Sequence, residues 1–232
     1  FLDSDGQRKF AWTTSWGIST RIIGAVIMAH GDDKGLRLPP RVAPTQAVVI
    51  PIVYKDSTAV NDKAKELTTR LSKIGIRVQL DDREGFKPGW KYSEYEMMGV
   101  PLRVEIGQKD LDKGQVCLVR RDTSEKMFIA DSEFEATVEK LMQEIQETLF
   151  KQAKEILENK TLRASSFEEF VSIIKEKRCM ADLVWCGSAE CENKFKAEAG
   201  ATIRCFNENA VDGNCVCCNN PGKHRVFVAR SY

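Results

Sequence analysis

The chain has 232 residues, 42% of them hydrophobic, and its 35 Lys and Arg side chains almost balance 34 Asp and Glu. This balance excludes a protein that coats nucleic acid through a global positive field, so any RNA contact must be local. No apolar run reaches the roughly 18 residues that span a bilayer, and the N-terminus lacks the pattern of a signal peptide. We expect a globular, cytoplasmic protein of about one to three compact units, without a membrane partner.

The first 44 residues combine a helix with an extended border. Phe10 and Trp12 indicate a strand. Residues 15–30 are predicted to form a helix because apolar side chains recur at three- and four-residue spacing. These positions are Ile18, Ile22, Ile23, Val26 and Ile27. The following GLRLPPRVAP, with its paired prolines, predicts an extended segment that ends the unit.

Residues 45–150 alternate strand and helix patterns. Strands are predicted at TQAVVIPIVY, IRVQLDD and PLRVEIG, and a hairpin at QVCLVRRD and EKMFIA with its turn at residues 122–125. Helices are predicted at residues 59–74, ended by Gly75, and at residues 91–98, ended by Gly99. This alternation predicts a mixed sheet with helices packed on it.

The C-terminal third begins with a long helix. Apolar residues at helical spacing predict one helix over residues 133–159. The sequence Ser166-Phe-Glu-Glu169 is a capping-box start for another helix that reaches Lys177. The cysteine-rich tail follows.

The tail contains two short cysteine pairs, Cys186 with Cys191 and Cys215 with Cys217. Four thiolates in tetrahedral geometry are the usual ligands of structural zinc. The spacing favours zinc, while disulfides and free thiols remain alternatives. Cys218 makes the second pair ambiguous. Cys117 and Cys179 are expected to be buried or half-buried small apolar residues.

The segment TSWGISTRIIGAVIMAHGDDKGLRLPPRVAP resembles motif 3 and its downstream region in eukaryotic-type prolyl-tRNA synthetases, which are class II aminoacyl-tRNA synthetases. The resemblance implies that Arg21 is catalytic and lies against ATP, with Thr20 beside it. It implies also that Trp16 and Gly17 border the pocket for proline. A guanidinium suits this role because it stays charged and donates in pairs to phosphate. An ordinary amphipathic helix is the alternative. His30 is expected to cap the helix end or to lie on the surface, and it is not assigned a catalytic role.

The segment DDREGFKPGWKYSEYEMMGVPLRVEIGQKDLDKGQVCLVRRD resembles the anticodon-binding domain of the same family. The resemblance implies contacts with single-stranded anticodon bases, which proteins hold on aromatic or guanidinium planes. The candidate tRNA-binding residues are Arg83, Lys91, Glu94 and Arg103. The alternative is that the aromatic residues are core and the charges are a solvated face.

WCGSAECE and NCVCCNNPGKHRVFVARSY resemble the C-terminal zinc domain of eukaryotic and archaeal prolyl-tRNA synthetases. The resemblance implies that a structural Zn²⁺ is held by the following four residues. They are Cys186, Cys191, Cys215 and Cys217. The chain departs from the family pattern at Cys218 and His224, either of which could replace a ligand. Cys205 resembles a family cysteine that is not a ligand.

Together these patterns predict three domains of α/β and α+β class. Residues 1–44 would be the end of a class II antiparallel-sheet catalytic domain, 45–150 a mixed-sheet α/β anticodon-binding domain and 151–232 a small α/β zinc domain. Motifs 1 and 2 are absent, so we expect a fragment whose missing part lies upstream. The expected activity is that of proline–tRNA ligase, using ATP with Mg²⁺, proline and tRNA(Pro), in a homodimer. The alternative is a non-enzymatic tRNA-binding module derived from a synthetase.

Overall fold

A computed structural model of the chain describes residues 1–53 and 58–231. The chain divides into two compact units, Phe1–Phe150 and Lys151–Tyr232. In the described residues, no helix is both long and apolar enough to cross a membrane.

The first unit contains a mixed five-stranded sheet in the order β2-β1-β3-β4-β5. Its strands are β1 (Ala47–Ile52), β2 (Val78–Leu80), β3 (Leu102–Gly107), β4 (Gln115–Arg120) and β5 (Lys126–Ala130). Its helices are α1 (Arg21–His30), α2 (Thr58–Lys73), α3 (Pro88–Met98) and α4 (Gln108–Asp112), and α5 (Phe134–Asn159) also begins here. Strands β1, β2 and β3 are parallel, while β4 and β5 are antiparallel to their neighbours.

One face of this sheet packs on α2 and α5. Because side chains alternate along a strand, Val104 and Leu118 point to that face, where Leu67 of α2 and Val138 of α5 complete a buried core. At about 25 cal/mol per Å² of apolar surface removed from water, such burial is the main stabilising contribution to the unit.

The opposite face carries a second, smaller cluster at its β1 side. There Tyr95 of α3 packs with Val48 and Ile50. Lys126 and Phe128 of β5 point to the same face and are exposed. The β5 edge of this face is therefore accessible to a ligand, whereas Cys117 and Val119 of β4 are buried.

The helices and the hairpin follow the sequence predictions closely. Residues 59–74, 91–98 and 133–159 correspond to α2, α3 and α5, and the turn at 122–125 joins β4 to β5. Gly75 and Gly99 follow their helices with left-handed φ of 84° and 75°. The predicted first strand matches β1, except that Tyr54 lies outside the described residues. The short α4 was not predicted.

The prediction for residues 1–44 needs correction. The helix begins at Arg21 instead of residue 15, and no strand forms at Phe10 or Trp12; within this described segment the pairing is limited to isolated bridges at Leu2 with Arg8 and Asp32 with Gly35. An antiparallel sheet is therefore not present there. The physical reason is that a strand needs a partner strand, and these residues have none to pair with.

The second unit is a four-stranded sheet with helices on one face. Its strands lie in the order β6-β7-β9-β8. They are β6 (Thr161–Arg163), β7 (Met180–Trp185), β8 (Ala201–Phe206) and β9 (His224–Arg230), with helices α6 (Phe167–Lys175) and α7 (Ala189–Ala199). Phe170 and Phe195 from the two helices meet Leu183 and Val228 of the sheet in a separate core. The fold is thus a mixed-sheet α/β domain followed by a small α/β region that carries the cysteines.

Candidate functional sites

Four cysteines meet at one end of the second sheet. Cys186 follows β7, Cys191 lies in the first turn of α7, and Cys215 and Cys218 lie in the loop before β9. Their four Sγ atoms all lie within 4.8 Å of one another, and Cys186 Sγ is 3.7 Å from both Cys191 Sγ and Cys218 Sγ. Zinc–sulfur bonds of about 2.3 Å in a tetrahedron place the sulfurs about 3.8 Å apart, so the arrangement fits a four-thiolate ion site.

The fourth member of this group differs from the sequence prediction. Cys217 is half-buried and packs against the core of the second unit, whereas Cys218 joins Cys186, Cys191 and Cys215. The reason is local geometry, because residues 215–219 form a turn closed by the Asn219 N–H on the Cys215 carbonyl, at 2.9 Å. A turn brings residues three apart to the same side, which spacing in the sequence does not reveal.

The remaining candidates lie outside the group. The His224 ring packs between Trp185 and Phe206, with centroids 5.8 Å and 5.1 Å away. Cys205 is exposed on β8. All eight cysteines lie in the described residues, and none of them forms a disulfide. Cys117 is buried and Cys179 half-buried, as predicted.

The pKa values of the Cys186, Cys191 and Cys215 thiols are shifted in different directions. Burial raises the pKa of the Cys186 and Cys191 thiols. At Cys215 burial acts in the same direction, but backbone N–H donors of Cys217 and Cys218 outweigh it and lower the pKa to about 7. These donors therefore favour the thiolate form of Cys215. A divalent cation would favour the thiolate form of all four residues.

A second candidate site lies on the face of the first sheet opposite α2 and α5, which we call the outer sheet face. It comprises Arg103 and Glu105 of β3, Cys117 of β4, and Lys126 and Phe128 of β5. The register places Glu105, Cys117 and Phe128 in one row across the three strands, and Arg103, Val119 and Lys126 in the next. Neighbouring strands are about 4.8 Å apart, so the side chains within each row lie next to one another.

Charged groups on the outer sheet face form a fixed network around Glu105. Its carboxylate accepts from Lys126 Nζ at 2.8 Å and from Arg103 Nε at 2.9 Å, and the Glu105 side chain is only 3% exposed. Arg103 also donates to Glu96 of α3 at 3.0 Å and lies 4.1 Å from the centroid of the Tyr92 ring. The hydrogen bond with Glu105 raises the pKa of Lys126.

Cys117 lies beneath this network. Burial first, and then the negative charge of Glu105, raise the pKa of its thiol to about 11. Cys117 is thus a neutral thiol that lies between Glu105 and Phe128 in the row and donates to Glu105 Oε2 at 3.8 Å. The outer sheet face combines donors, acceptors and one exposed aromatic ring on a rigid sheet.

A third candidate site is a pocket of about 330 Å³ at the carboxyl ends of β1 and β2, which we call the strand-end pocket. Its lining comprises Pro51, Val53, Asn61, Asp82, Arg83, Glu84, Gly85, Phe86, Pro88 and Lys91. Arg83 donates to both oxygens of buried Asp81, at 2.9 and 2.8 Å, and to Glu94. Burial opposes ionisation of Asp81, but the hydrogen bonds from Arg83 outweigh it and lower its pKa to about 2.

The four predicted tRNA-binding residues divide between the two surfaces. Arg103 lies on the outer sheet face, whereas Arg83, Lys91 and Glu94 lie at or beside the strand-end pocket. Lys91 is 4% exposed and donates to the Asp81 carbonyl at 2.9 Å, so it also holds the chain after β2.

Glu105, Lys126 and Phe128 were not among the residues that the sequence predicted for tRNA binding. The period-two pattern of EKMFIA, with Lys126 and Phe128 on one side and Met127 and Ile129 on the other, is the signal that would have placed two of them on an open face.

The predicted nucleotide-site residues form one exposed stretch of chain. Trp16 is 94% exposed, Thr20 is the N-cap of α1, and Arg21 is its exposed first residue. Ile18 and Ile22 beside them are exposed as well. The structure keeps these residues adjacent in the chain, but it does not place Arg21 at the edge of a sheet.

Comparisons with known proteins match the two compact units of the chain to two different families. Residues 46–148 match a family described as anticodon binding domain, and residues 167–232 match one described as prolyl-tRNA synthetase, C-terminal. The whole chain is similar to proline–tRNA ligases of Natranaerobius thermophilus, at 48% identity over 236 residues, and of Clostridium botulinum Loch Maree, at 45% over 234 residues. A third relative with this name, from Ruminiclostridium cellulolyticum, is 44% identical over 234 residues.

The chain spans about half the length of these relatives, 48 or 49% of each, while all of this chain is covered. The three relatives named here are bacterial, so a specifically eukaryotic or archaeal type does not follow from them. Residues 46–148 are therefore similar to anticodon-binding domains, residues 167–232 are similar to the C-terminal domain of prolyl-tRNA synthetases, and the chain as a whole is similar to proline–tRNA ligases.

Proposed function

We propose that this chain is the anticodon-recognising and C-terminal part of an enzyme that activates proline with ATP and transfers it to tRNA(Pro). The observation that carries the proposal is the outer sheet face, a rigid array of charged groups beside an exposed aromatic ring in a domain of the anticodon-binding family. Single-stranded RNA is read by stacking of bases on aromatic rings and by hydrogen bonds to base edges. The outer sheet face supplies both.

Each group has a distinct role in this proposal. Phe128, 56% exposed, offers a ring on which an anticodon base stacks. Lys126, half-exposed and oriented by the buried Glu105 carboxylate, offers a donor for the edge of a base. Arg103, held by Glu96 and Glu105, is already oriented, so little conformational entropy is lost when it donates to RNA.

The RNA role is tested by binding of a short hairpin that carries the tRNA(Pro) anticodon loop. Since stacking on one aromatic ring contributes about 1–3 kcal/mol, Phe128→Ala should weaken binding about tenfold or more. Lys126→Ala should weaken it as well, whereas Lys140→Ala on the exposed surface of α5 should not. Equal affinity of wild type and both outer-face variants would exclude this surface.

We propose further that Cys186, Cys191, Cys215 and Cys218 hold a structural Zn²⁺. The support is the fit of the sulfur separations to a tetrahedral ion, the lowered pKa of Cys215 and the closed four-thiol set, which leaves no open position for catalysis. Elemental analysis should find about one zinc per chain.

Serine variants separate the two candidates for the fourth ligand. Cys218→Ser should lose the zinc, and Cys217→Ser should keep it, because Cys217 packs on the core. The reverse outcome would restore Cys217 as the ligand.

For the ATP site, we propose that Arg21 binds the phosphates with Thr20 beside it, and that Trp16 and Gly17 border the proline pocket. The support is the resemblance of this segment to motif 3, the similarity of the whole chain to proline–tRNA ligases, and the run of exposed apolar residues, which fits burial against further protein. On this proposal Mg²⁺ accompanies ATP, and the segment completes the end of an antiparallel-sheet catalytic domain.

Proline-dependent exchange of pyrophosphate with ATP by the full-length protein tests this part. Arg21→Ala should reduce exchange strongly, because the arginine would stabilise charge that develops on the phosphates, and Arg8→Ala should not. No exchange by the intact protein would favour the alternative, a tRNA-binding module without enzymatic activity.

The remaining proposals concern the type and setting of the enzyme. The cysteine-bearing C-terminal domain supports the type also found in eukaryotes and archaea. Eight unpaired cysteines support a reducing, cytoplasmic location. A homodimer is proposed from the family resemblance alone and is tested by the mass of the full-length protein in solution.

A further inference from the structure

We propose that an ion pair between Asp32 and Arg121 positions Arg21, the proposed ATP-binding arginine, from the opposite end of α1. Asp32 lies two residues beyond the end of α1, and Arg121 directly follows β4. Both are positioning residues for the activation of proline, because they act through α1 and Arg21. The inference rests on the proposed function in one respect, the role given to Arg21.

The ion pair joins a buried guanidinium to a carboxylate through two hydrogen bonds. Arg121 Nη1 and Nη2 donate to the two oxygens of Asp32 at 2.8 and 2.6 Å, and the Arg121 side chain is only 4% exposed. These hydrogen bonds hold the pKa of the Asp32 carboxyl far below its usual range. Because two such bonds fix both distance and orientation, the pair sets the direction in which the chain leaves α1.

Further contacts hold the same stretch of chain against the end of α3. Arg121 Nε donates to the Glu96 carbonyl at 2.9 Å, and the Leu36 N–H donates to the Met97 carbonyl at 3.0 Å. At Gly35, a Cβ would lie 2.6 Å from Met97 Cα, so the two backbones are in close contact. The chain that follows α1 is therefore fixed to the end of α3.

The helix α1 is held mainly at this C-terminal end. The structure describes all ten of its residues and none is buried, while the carbonyl of its last residue, His30, accepts from Arg37 Nε at 2.7 Å. Arg21 lies at the other end, about 14 Å away at 1.5 Å per residue, so a tilt of about 10° would move it by about 2 Å. Since a misplacement of about 1 Å can reduce a rate about 100-fold, the anchor affects how well Arg21 stabilises charge on the phosphates.

Proline-dependent pyrophosphate exchange by the full-length protein tests the inference. Asp32→Asn keeps the size of the side chain and removes its charge. It should lower kcat about tenfold or more and change the KM for ATP less, because a displaced Arg21 no longer meets charge that develops in the transition state. Asp32→Glu and Arg121→Lys, which keep the opposite charges, should retain more exchange. Asp33→Asn, the matched control on the neighbouring residue, should exchange as wild type does.

A double variant shows whether Asp32 acts through Arg21. If it does, adding Asp32→Asn to Arg21→Ala should reduce exchange no further, whereas a general defect in folding would reduce exchange by the same factor in both backgrounds. The affinity of Asp32→Asn for the anticodon-loop hairpin should equal that of wild type, which shows that the first unit is folded. If Asp32→Asn does not fold, Arg121→Lys takes its place in the same comparison.

Two outcomes overturn the inference alone. Either Asp32→Asn exchanges as wild type does, or it causes equal losses in the wild-type and Arg21→Ala backgrounds. Exchange by Arg21→Ala at the wild-type rate would instead refute the role of Arg21 in the proposed function, and this inference with it.

Discussion

At the scale of single residues, Asp81 shows how burial and hydrogen bonding decide a charge. Its side chain is fully buried, yet Arg83 and Lys91 keep it ionised. Because its pKa falls from 3.8 to about 2 in the folded chain, its contribution is fully present above pH 4 and is lost as the pH falls through 2. A shift of this size corresponds to about 2 kcal/mol.

The expected result is that Asp81→Asn lowers the free energy of unfolding at pH 7 by about 2 kcal/mol or more, since it also leaves a buried lysine without its counter-ion. Its stability should then fall less than that of wild type between pH 4 and pH 2. Urea unfolding at several pH values measures both effects, with exposed Asp33→Asn as the control. Parallel pH profiles for Asp81→Asn and wild type would contradict the assignment.

Gly99 is a second residue whose identity the backbone dictates. It ends α3 with φ at 75°, and a Cβ there would lie 2.5 Å from the Cβ and 2.8 Å from the carbonyl atoms of Leu36. We expect Gly99→Ala to destabilise the first unit by more than about 1 kcal/mol, because both the left-handed backbone and the contact oppose a side chain.

Gly89, in the first turn of the same helix, is the matched control. A Cβ at Gly89 would meet nothing within 4 Å, and alanine favours helix by up to about 1 kcal/mol. Thermal unfolding should show Gly89→Ala unchanged or more stable and Gly99→Ala less stable. Similar melting temperatures for the two variants would count against the role given to Gly99.

At the scale of elements, the N-terminus of α6 is capped by the Ser166 side chain. The Ser166 side chain accepts from the Glu169 N–H at 3.1 Å, and Glu169 accepts from the Ser165 N–H at 2.8 Å. Ser166→Ala should therefore cost about 1 kcal/mol in the second unit, measured by denaturant unfolding. Ser165→Ala is the control, because the residue takes part through its backbone, and equal losses in both variants would argue against the cap.

At the scale of the whole molecule, the two units have separate cores and should respond separately to metal removal. If the four thiolates hold zinc, a chelator should raise amide hydrogen exchange in β7, α7 and β9 by orders of magnitude. The strands of the first unit, β3 and β4, should exchange as before. Mass spectrometry of peptides from the two units measures this, and a uniform increase in exchange would contradict independent units.

Much of the local structure could be predicted from the sequence. Helical periodicity over residues 59–74 and 133–159, glycines at 75 and 99, and alternating apolar runs are short-range signals that the fold respects. The strand predicted at Phe10 and Trp12 does not form. A strand is stable only when it pairs with a partner strand, and sequence periodicity does not show whether a partner is present.

The candidate sites were harder to predict than the helices and strands, because a site depends on which distant residues come together in the fold. By itself, the sequence determined the long helices, the alternation of strand and helix over residues 45–150 and the clustering of thiols in the C-terminal region, all of which follow from local propensity and residue type. Only the tertiary structure decided that Cys218 joins the group of Cys186, Cys191 and Cys215, that Lys91 is buried, and that Glu105, Lys126 and Phe128 share one face of the sheet. Turn geometry and strand register set those juxtapositions, and both arise from pairing between distant parts of the chain.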